Sequence, residues 1–360
     1  MVHLGVGAHL GRLMTEASPE EQPLPSVTAP NFSISFSGID AEAANRFGPT
    51  LGTYVQEISR YIDLRGLDGV TVALDYPAAL AQLDRGYETS HVLTPTTEFG
   101  IGVAMTPAVI RDGTVKSHIV LNAQYIFILE DNQHELWPEA LHLLAHECAH
   151  VEVTRATDTA FPGMLLRQRY DNLISAFRWQ IINACWDEYA ASRISAVFGA
   201  DRISSYEENF VVALRETRDI ADGHIRQYRL HGDHRKVLAD VSGQYGNLMK
   251  FASYLIGHLH GAGLDREEAA NAKAALNNHW FAACFDRLED ALETLWQSFG
   301  TWQSRDEFDP IGDLAEAIIA EGGIRITRMG GSELYVDVPY TARTMPINLF
   351  PPLFPGLHRT

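Results

Sequence analysis

The stretch ALHLLAHECAHVEVTR, residues 140–155, combines the apolar spacing of a buried helix with two histidines four positions apart. Because an α-helix turns by about 100° per residue, several apolar side chains share one face. They are Trp137, Leu141, Leu144, Cys148 and Val151. His146 and His150 fall on nearly the opposite face, one turn apart, so their ring nitrogens can converge on one point. That face also carries Leu143 and Ala149 rather than charged residues, so we expect it to line a cleft or to be covered.

The pattern H-E-x-x-H at residues 146–150 is typical of a zinc site. Zinc takes neutral histidine nitrogens as ligands, and a catalytic site keeps one position for water. Glu147, beside that water, can accept its proton. The alternative is a helix that carries two partly exposed histidines and no metal. The orientation of both histidines away from the apolar stripe favours the metal site.

His142 offers a second pair with the same spacing, because it lies four positions before His146. The residue that follows it is Leu143, which has no group that could accept a proton. We therefore interpret His142 as a residue that supports the site from outside or lies on the surface, and not as a ligand.

A third protein ligand is expected, because a catalytic zinc ion usually has three. A histidine six positions after His150 would complete the extended pattern H-E-x-x-H-x-x-G-x-x-H. That position is Ala156, and Val153 stands where the pattern has glycine. The third ligand is therefore expected to be a carboxylate from a later helix.

The segment IINACWDEYAASRISAVFG supplies that carboxylate. This segment belongs to a second long helix, predicted at about 171–197, whose apolar stripe runs Ile174, Phe177, Ile181, Cys185, and the next position in that stripe is Glu188. An ionised carboxylate on a core-facing stripe is unfavourable unless it is paired or bound to a metal. Asp187 continues a polar line and is expected to face water, so we choose Glu188 as the ligand. The alternative is that Glu188 pairs with Arg155 or Arg193.

With these residues in place, the chain resembles a zincin metallopeptidase of the gluzincin type. The order of strands, the segment LAHECAH and the segment DEYAASR is similar to the ImmA/IrrE-like bacterial metallopeptidases, over about residues 31–200. The resemblance implies Zn²⁺ held by His146, His150 and Glu188, with Glu147 as the general base of peptide-bond hydrolysis. Ser192 departs from the family, because many gluzincins have an aspartate four positions after the ligand glutamate.

The fold class expected from this resemblance is α+β. A zincin-like core, with a small mixed sheet, the HExxH helix and the glutamate helix, precedes a mainly helical region. We predict four parts along the chain. They are a flexible N-terminal arm at 1–30, a catalytic domain at 31–200, a helical region at 201–322 that forms the far wall of the cleft, and a hairpin with a Pro-rich tail at 323–360.

Two further features of the cleft are predicted. A donor is needed to stabilise the oxyanion of the transition state. Tyr228, His231 and His234, in a break between two helices, are the candidates, although each is also a plausible surface residue. The strand at 118–121 is expected to be the edge strand beside the cleft, where it could pair with an extended peptide.

The amino-acid composition limits the classes of partner and the cellular compartment that we expect. The net charge of −18 argues against nucleic acid or an anionic membrane as a partner, since both require basic surface. Three well-separated cysteines form no metal-binding pair, and each is expected to be buried. The N-terminus lacks the apolar core of a secretory signal, and no segment has the length of a membrane span. We expect a soluble cytoplasmic protein that acts on a peptide or protein.

Two other functions fit the same residues. A zinc hydrolase could act on a non-peptide amide, and an interaction protein could retain a zincin scaffold without catalysis. Glu147 weighs against the second of these, because a scaffold does not need the base.

Overall fold

The computed structural model describes residues 24–29, 31–96, 102–330 and 333–345. Most of the predicted N-terminal arm, residues 1–23 and Pro30, lies outside the described residues, and so does the Pro-rich tail from residue 346. Within these ranges the chain has the predicted α+β composition, with a small mixed sheet followed by a helical region.

A five-stranded sheet forms from the N-terminal part of the chain. Its strands are β1 (Ser33–Ser37), β2 (Leu67–Ala73), β3 (Ala104–Met105), β4 (Ala108–Arg111) and β5 (Thr114–Asn122). β1, β2 and β5 are parallel, whereas β3 and β4 both pair antiparallel with β5. The predicted C-terminal hairpin is confirmed by β6 (Arg325–Gly330) and β7 (Glu333–Asp337), which pair antiparallel.

Eleven α-helices occur in the described ranges, and the region predicted to be helical at 201–322 contains five of them. The eleven helices are α1 (Ala41–Ile58), α2 (Tyr76–Gln82), α3 (Ala123–Ile126), α4 (Trp137–Ala160), α5 (Met164–Arg167), α6 (Leu173–Ser195), α7 (Ile203–His231), α8 (His234–Ala262), α9 (Ala270–Leu276), α10 (Ala282–Gln297) and α11 (Asp309–Glu321). The predicted break after α7 is confirmed, since Gly232 ends that helix with a φ of +71°, and Gly263 ends α8 in the same way with a φ of +67°. Glycine adopts this left-handed conformation without the steric penalty of a side chain. No described helix combines the length and apolarity needed to cross a membrane.

The expectation that residues 118–121 form the edge strand is wrong. β5 is an interior strand, because it pairs with β2 on one side and with β3 and β4 on the other. The sequence HIVL is apolar enough for an edge or an interior position, so its composition does not decide between them. β3 and β4 cover the side that an edge strand would leave open. The strand beside the cleft is β3.

Two hydrophobic cores hold the structure together. The first, which we call the sheet core, packs α1 and α4 against the sheet and includes Val70, Ile119 and Leu144. The second, the helical core, joins α6 through α8 with the later helices and includes Cys185 and Leu255. The predicted apolar stripe of α4 lies in or against the sheet core. The opposite face of α4 packs partly on α6 and partly lines the cleft, as its apolar residues indicated.

Close packing of α6 on α8 fixes the helical wall beside α4. A Cβ atom added at Gly257 would lie 2.3 Å from the carbonyl oxygen of Tyr189, and one at Gly261 would lie 2.1 Å from that of Arg193. Both contacts are with backbone, which cannot rotate away. Only glycine therefore allows this separation of the two helices.

We expect Gly257→Ala to lower the free energy of unfolding by about 1–3 kcal/mol, the usual cost of an overpacked core. Chemical denaturation monitored by circular dichroism measures the change. Gly243→Ala is the matched control, because it lies in the same helix with nothing within 4 Å of an added Cβ. There the substitution should raise stability by up to about 1 kcal/mol. Equal effects at the two positions would contradict the close-packing argument.

Candidate metal centre

Helix α4 presents His146, Glu147 and His150 to a cleft between the sheet and the helical wall. All three are buried, with 5–8% of each residue exposed. Helix α6 supplies Glu188, as predicted, and its side chain is 16% exposed. The two helices belong largely to different hydrophobic cores, so the site lies where the cores meet.

Three ligand atoms converge at this site. The Nε2 atoms of His146 and His150 are 3.1 Å apart. Glu188 Oε2 is 3.4 Å from the first and 3.5 Å from the second. Zinc–ligand distances of about 2.0–2.2 Å in a tetrahedral site correspond to ligand–ligand separations of about 3.3–3.6 Å. The group His146, His150 and Glu188 therefore has the size and the donor types to hold a metal ion.

The arginine alternative for Glu188 is wrong. Arg155 pairs with Asp63 at 2.8 Å, and Arg193 pairs with Glu293. Glu188 Oε2 is buried and forms no well-aligned hydrogen bond with any described residue. Its nearest ion-pair partners are the Nε2 atoms of His146 and His150, at 3.4 and 3.5 Å, so a cation bound between the three groups would take their place, as a metal ligand requires.

Without an ion, the charges of these groups balance one another. Burial lowers the pKa of His150, but the Asp187 carboxylate outweighs burial and raises it to about 10. Burial raises the pKa of Glu188, but the polar contact with His146 and the charge of His150 lower it to about 2. A metal that binds here must displace the proton on His150, as is usual for histidine ligands.

Each histidine has a partner that orients its ring. His150 Nδ1 lies 3.0 Å from Asp187 Oδ2, which directs Nε2 toward the site. His146 Nδ1 lies 3.4 Å from the hydroxyl of Ser195. Outer contacts of this kind fix the tautomer of a metal-binding histidine. Asp187 is partly exposed, as expected, but its contact with His150 was not predicted from the polar line of α6.

Ser195, and not Ser192, is the serine of α6 that contacts His146. Ser192, at the position where the family pattern has aspartate, is buried, but Ser195 is the residue beside His146. Ser195 is seven positions after Glu188, and residues seven apart share one face of a helix. That spacing could have identified it from the sequence.

Glu147 is held by a residue from outside its own helix. The hydroxyl of Thr106, just after β3, lies 2.6 Å from Glu147 Oε2 and 3.1 Å from the backbone carbonyl of Glu147. Burial raises the pKa of Glu147, and the nearby His150, His146 and Thr106 offset part of that rise. Nothing in the local sequence around Thr106 indicates this contact, which depends on the position of β3.

The far wall of the cleft is formed by α7 and α8, from the region predicted for it. The ring of Tyr254 stacks on His146 with centroids 5.8 Å apart, and Tyr206 stacks on Tyr254 at 5.4 Å. Burial, followed by the charge of Glu188, raises the pKa of Tyr254 well above its ordinary value, so its hydroxyl keeps its proton. The cleft has a volume of about 790 Å³, within the range of small-ligand and peptide sites.

His142 supports the site, which is one of the two roles foreseen for it. It is buried, its Nδ1 lies 3.1 Å from the carbonyl of Phe198, and its Nε2 lies 3.1 Å from the hydroxyl of Tyr206. With Nδ1 as the donor, Nε2 accepts from Tyr206. Burial lowers the pKa of His142 well below its ordinary value, so the ring stays neutral.

The structure does not bring the three candidate oxyanion donors to the cleft. Tyr228, His231 and His234 lie at the turn between α7 and α8, and none of the three lines the cleft. The hydroxyl of Tyr228 instead pairs with His234 Nε2 at 2.7 Å. The break in helical pattern was located correctly, but α7 and α8 are each 29 residues long and carry this turn away from the site.

No family model, no curated protein and no solved structure matches the chain. The function is therefore argued from the geometry of the site.

Proposed function

We propose that this chain is a zinc-dependent metallopeptidase of the gluzincin type, with His146, His150 and Glu188 as ligands. The observation that supports it most is the convergence of three ligand atoms at 3.1–3.5 Å, with Glu147 adjacent in the same cleft. Two imidazoles and one carboxylate are the ligand set of several zinc peptidases. The proposal assigns the sheet, α4 and α6 to the core of a zincin-like fold.

A zinc ion at such a site supplies an activated water and polarises the carbonyl to be attacked. Glu147 accepts the proton of the attacking water at Oε1, because Thr106 already engages Oε2. The same carboxyl then delivers the proton to the leaving amine. Tyr254 replaces the three earlier candidates as the donor to the developing oxyanion, since its protonated hydroxyl lines the cleft and its ring packs on His146.

Metal analysis of the purified protein, combined with a peptide-cleavage assay, tests the proposal. We expect about one zinc ion per chain, in line with a single set of three protein ligands. Cleavage of a mixed peptide library, monitored by mass spectrometry, should stop with 1,10-phenanthroline and return when zinc is added. A parallel library of non-peptide amides distinguishes the peptidase from the other hydrolase. A metal-free protein, or cleavage that the chelator leaves unchanged, would rule out the proposed centre.

A further inference from the structure

Two cations lie in the walls of the cleft although the chain as a whole has a net charge of −18. They are Lys250, on α8, and Arg202, just before α7. Both residues are half-buried. Neither forms an ion pair with any carboxylate in the described part of the chain. Lys250 lies 5.3 Å from the centre of the Phe251 ring, and Arg202 Nη2 donates to Ser205 Oγ at 3.0 Å.

The two cations stand on either side of the metal centre. Lys250 is one helical turn before Tyr254, whose ring covers His146. Arg202 lies at the other end, because its backbone N–H donates to His258 Nε2 at 3.2 Å, and His258 is one turn after Tyr254. Residues 250 and 258 are eight positions apart, which is about 12 Å along a helix. That is the length of about three to four extended peptide residues.

No carboxylate that lines the cleft lies within ion-pair distance of either cation, although the charge of Lys250 acts on Glu188 from farther away. Glu147 is held by Thr106, and Asp187 and Glu188 face the histidines. Glu139, in the first turn of α4, is the other carboxylate that lines the cleft. A half-buried cation that forms no direct ion pair has lost part of its hydration, so a ligand carboxylate gains a charge-assisted contact there.

Resting on the proposed peptidase function, we infer that the substrates are acidic peptides, with one carboxylate held by Lys250 and another by Arg202 on opposite sides of the cleaved bond. The carboxylates come from Asp or Glu side chains or from the free C-terminus of the peptide. The cations set the specificity, since contacts with charged groups discriminate more strongly than apolar contacts of similar size.

Binding to the Glu147→Gln variant tests this inference without turnover. Hexapeptide pools with Asp and Glu at fixed positions are compared with pools that carry Asn and Gln there, each with a free or an amidated C-terminus. Fluorescence anisotropy with a common rhodamine label measures affinity. We expect the acidic pools to bind about 10- to 100-fold more tightly, as charged hydrogen bonds allow. The pools with an amidated C-terminus show whether the C-terminal carboxylate is one of the two carboxylates that the cations bind.

Substitutions of Lys250 and Arg202 test whether these two cations cause the preference for acidic peptides. Lys250→Gln and Arg202→Gln should each remove part of the preference, and the double variant should remove it. Lys250→Glu should reverse it toward peptides with Lys at the same position. Arg235→Glu is the matched control, because it makes the same change of charge at an exposed position near the start of α8 and should leave the preference intact.

The outcomes separate this inference from the peptidase proposal. Equal binding of acidic and amide pools, or a preference that survives the double variant, would overturn the role of the cations. A change of metal content alone in the Lys250 variants would do the same, because it would assign to Lys250 only the balancing of Glu188. Acidic preference in a protein that shows no zinc-dependent cleavage would support the anion sites and reject the peptidase.

Discussion

Glu147→Gln should retain zinc and lose nearly all turnover, with kcat lower by about 10²- to 10⁴-fold, the usual contribution of a general acid–base. The amide of glutamine fills the same space, and its oxygen can still accept from Thr106, whose hydroxyl is 2.6 Å from Glu147 Oε2. What is lost is the ability to take a proton. Steady-state kinetics on a cleaved library peptide, with zinc measured on the same sample, checks both parts.

Stability provides the control for this variant. Burial raises the pKa of Glu147, so its ionised form is disfavoured in the folded protein and lowers stability above the ordinary pKa of a glutamate. Glutamine cannot ionise. The metal-free variant should therefore unfold at neutral pH with a free energy equal to or above that of the unchanged chain. Full activity in this variant would exclude Glu147 as the base, whereas lower stability would mean that lost turnover reflects misfolding.

Glu188→Gln should abolish stoichiometric zinc binding, while Asp187→Asn should weaken it only by about 10- to 100-fold, the usual effect of losing an outer contact to a ligand. The two residues are adjacent and lose the same charge, so each is the control for the other. They differ in position: Glu188 Oε2 faces both Nε2 atoms, whereas Asp187 contacts only the outer nitrogen of His150. Competition with a chromogenic zinc chelator measures both affinities.

The reverse order of these two affinities would mean that Asp187 is the ligand and Glu188 the supporting group. Zinc binding that both variants leave unchanged would place the metal elsewhere. Zinc content after His146→Ala provides an independent check, since that substitution removes a ligand on α4 and leaves α6 untouched.

Periodicity made the helical parts of the site predictable. The stripe of α4 and the stripe of α6 that ends at Glu188 are properties of single helices, and a helix fixes which residues share a face. The structure confirms the convergence of His146, His150 and Glu188 as a possible metal-binding group. Cys148, Cys185 and Cys284 are buried and unpaired, as their spacing indicated.

The parts that depend on contacts between distant segments were not predictable from local pattern. β3 has two residues and directly precedes Thr106, which holds Glu147 through a contact that no local pattern indicates. Tyr254 reaches His146 only because the glycines of α8 allow close approach to α6. The length and direction of α7 and α8 place Tyr228, His231 and His234 outside the cleft. A break in a sequence pattern locates a turn along the chain, but it does not locate that turn in space.

The position of the proposed centre between the sheet core and the helical core has a mechanical consequence. His146 and His150 lie on a helix that packs mainly in the sheet core, and Glu188 lies on a helix that packs mainly in the helical core. A small rotation of the sheet core against the helical core would change the distances between the ligand atoms while the packing inside each core stays intact. An ion bound to all three ligands would connect the two cores, and its affinity would depend on how the cores pack against each other.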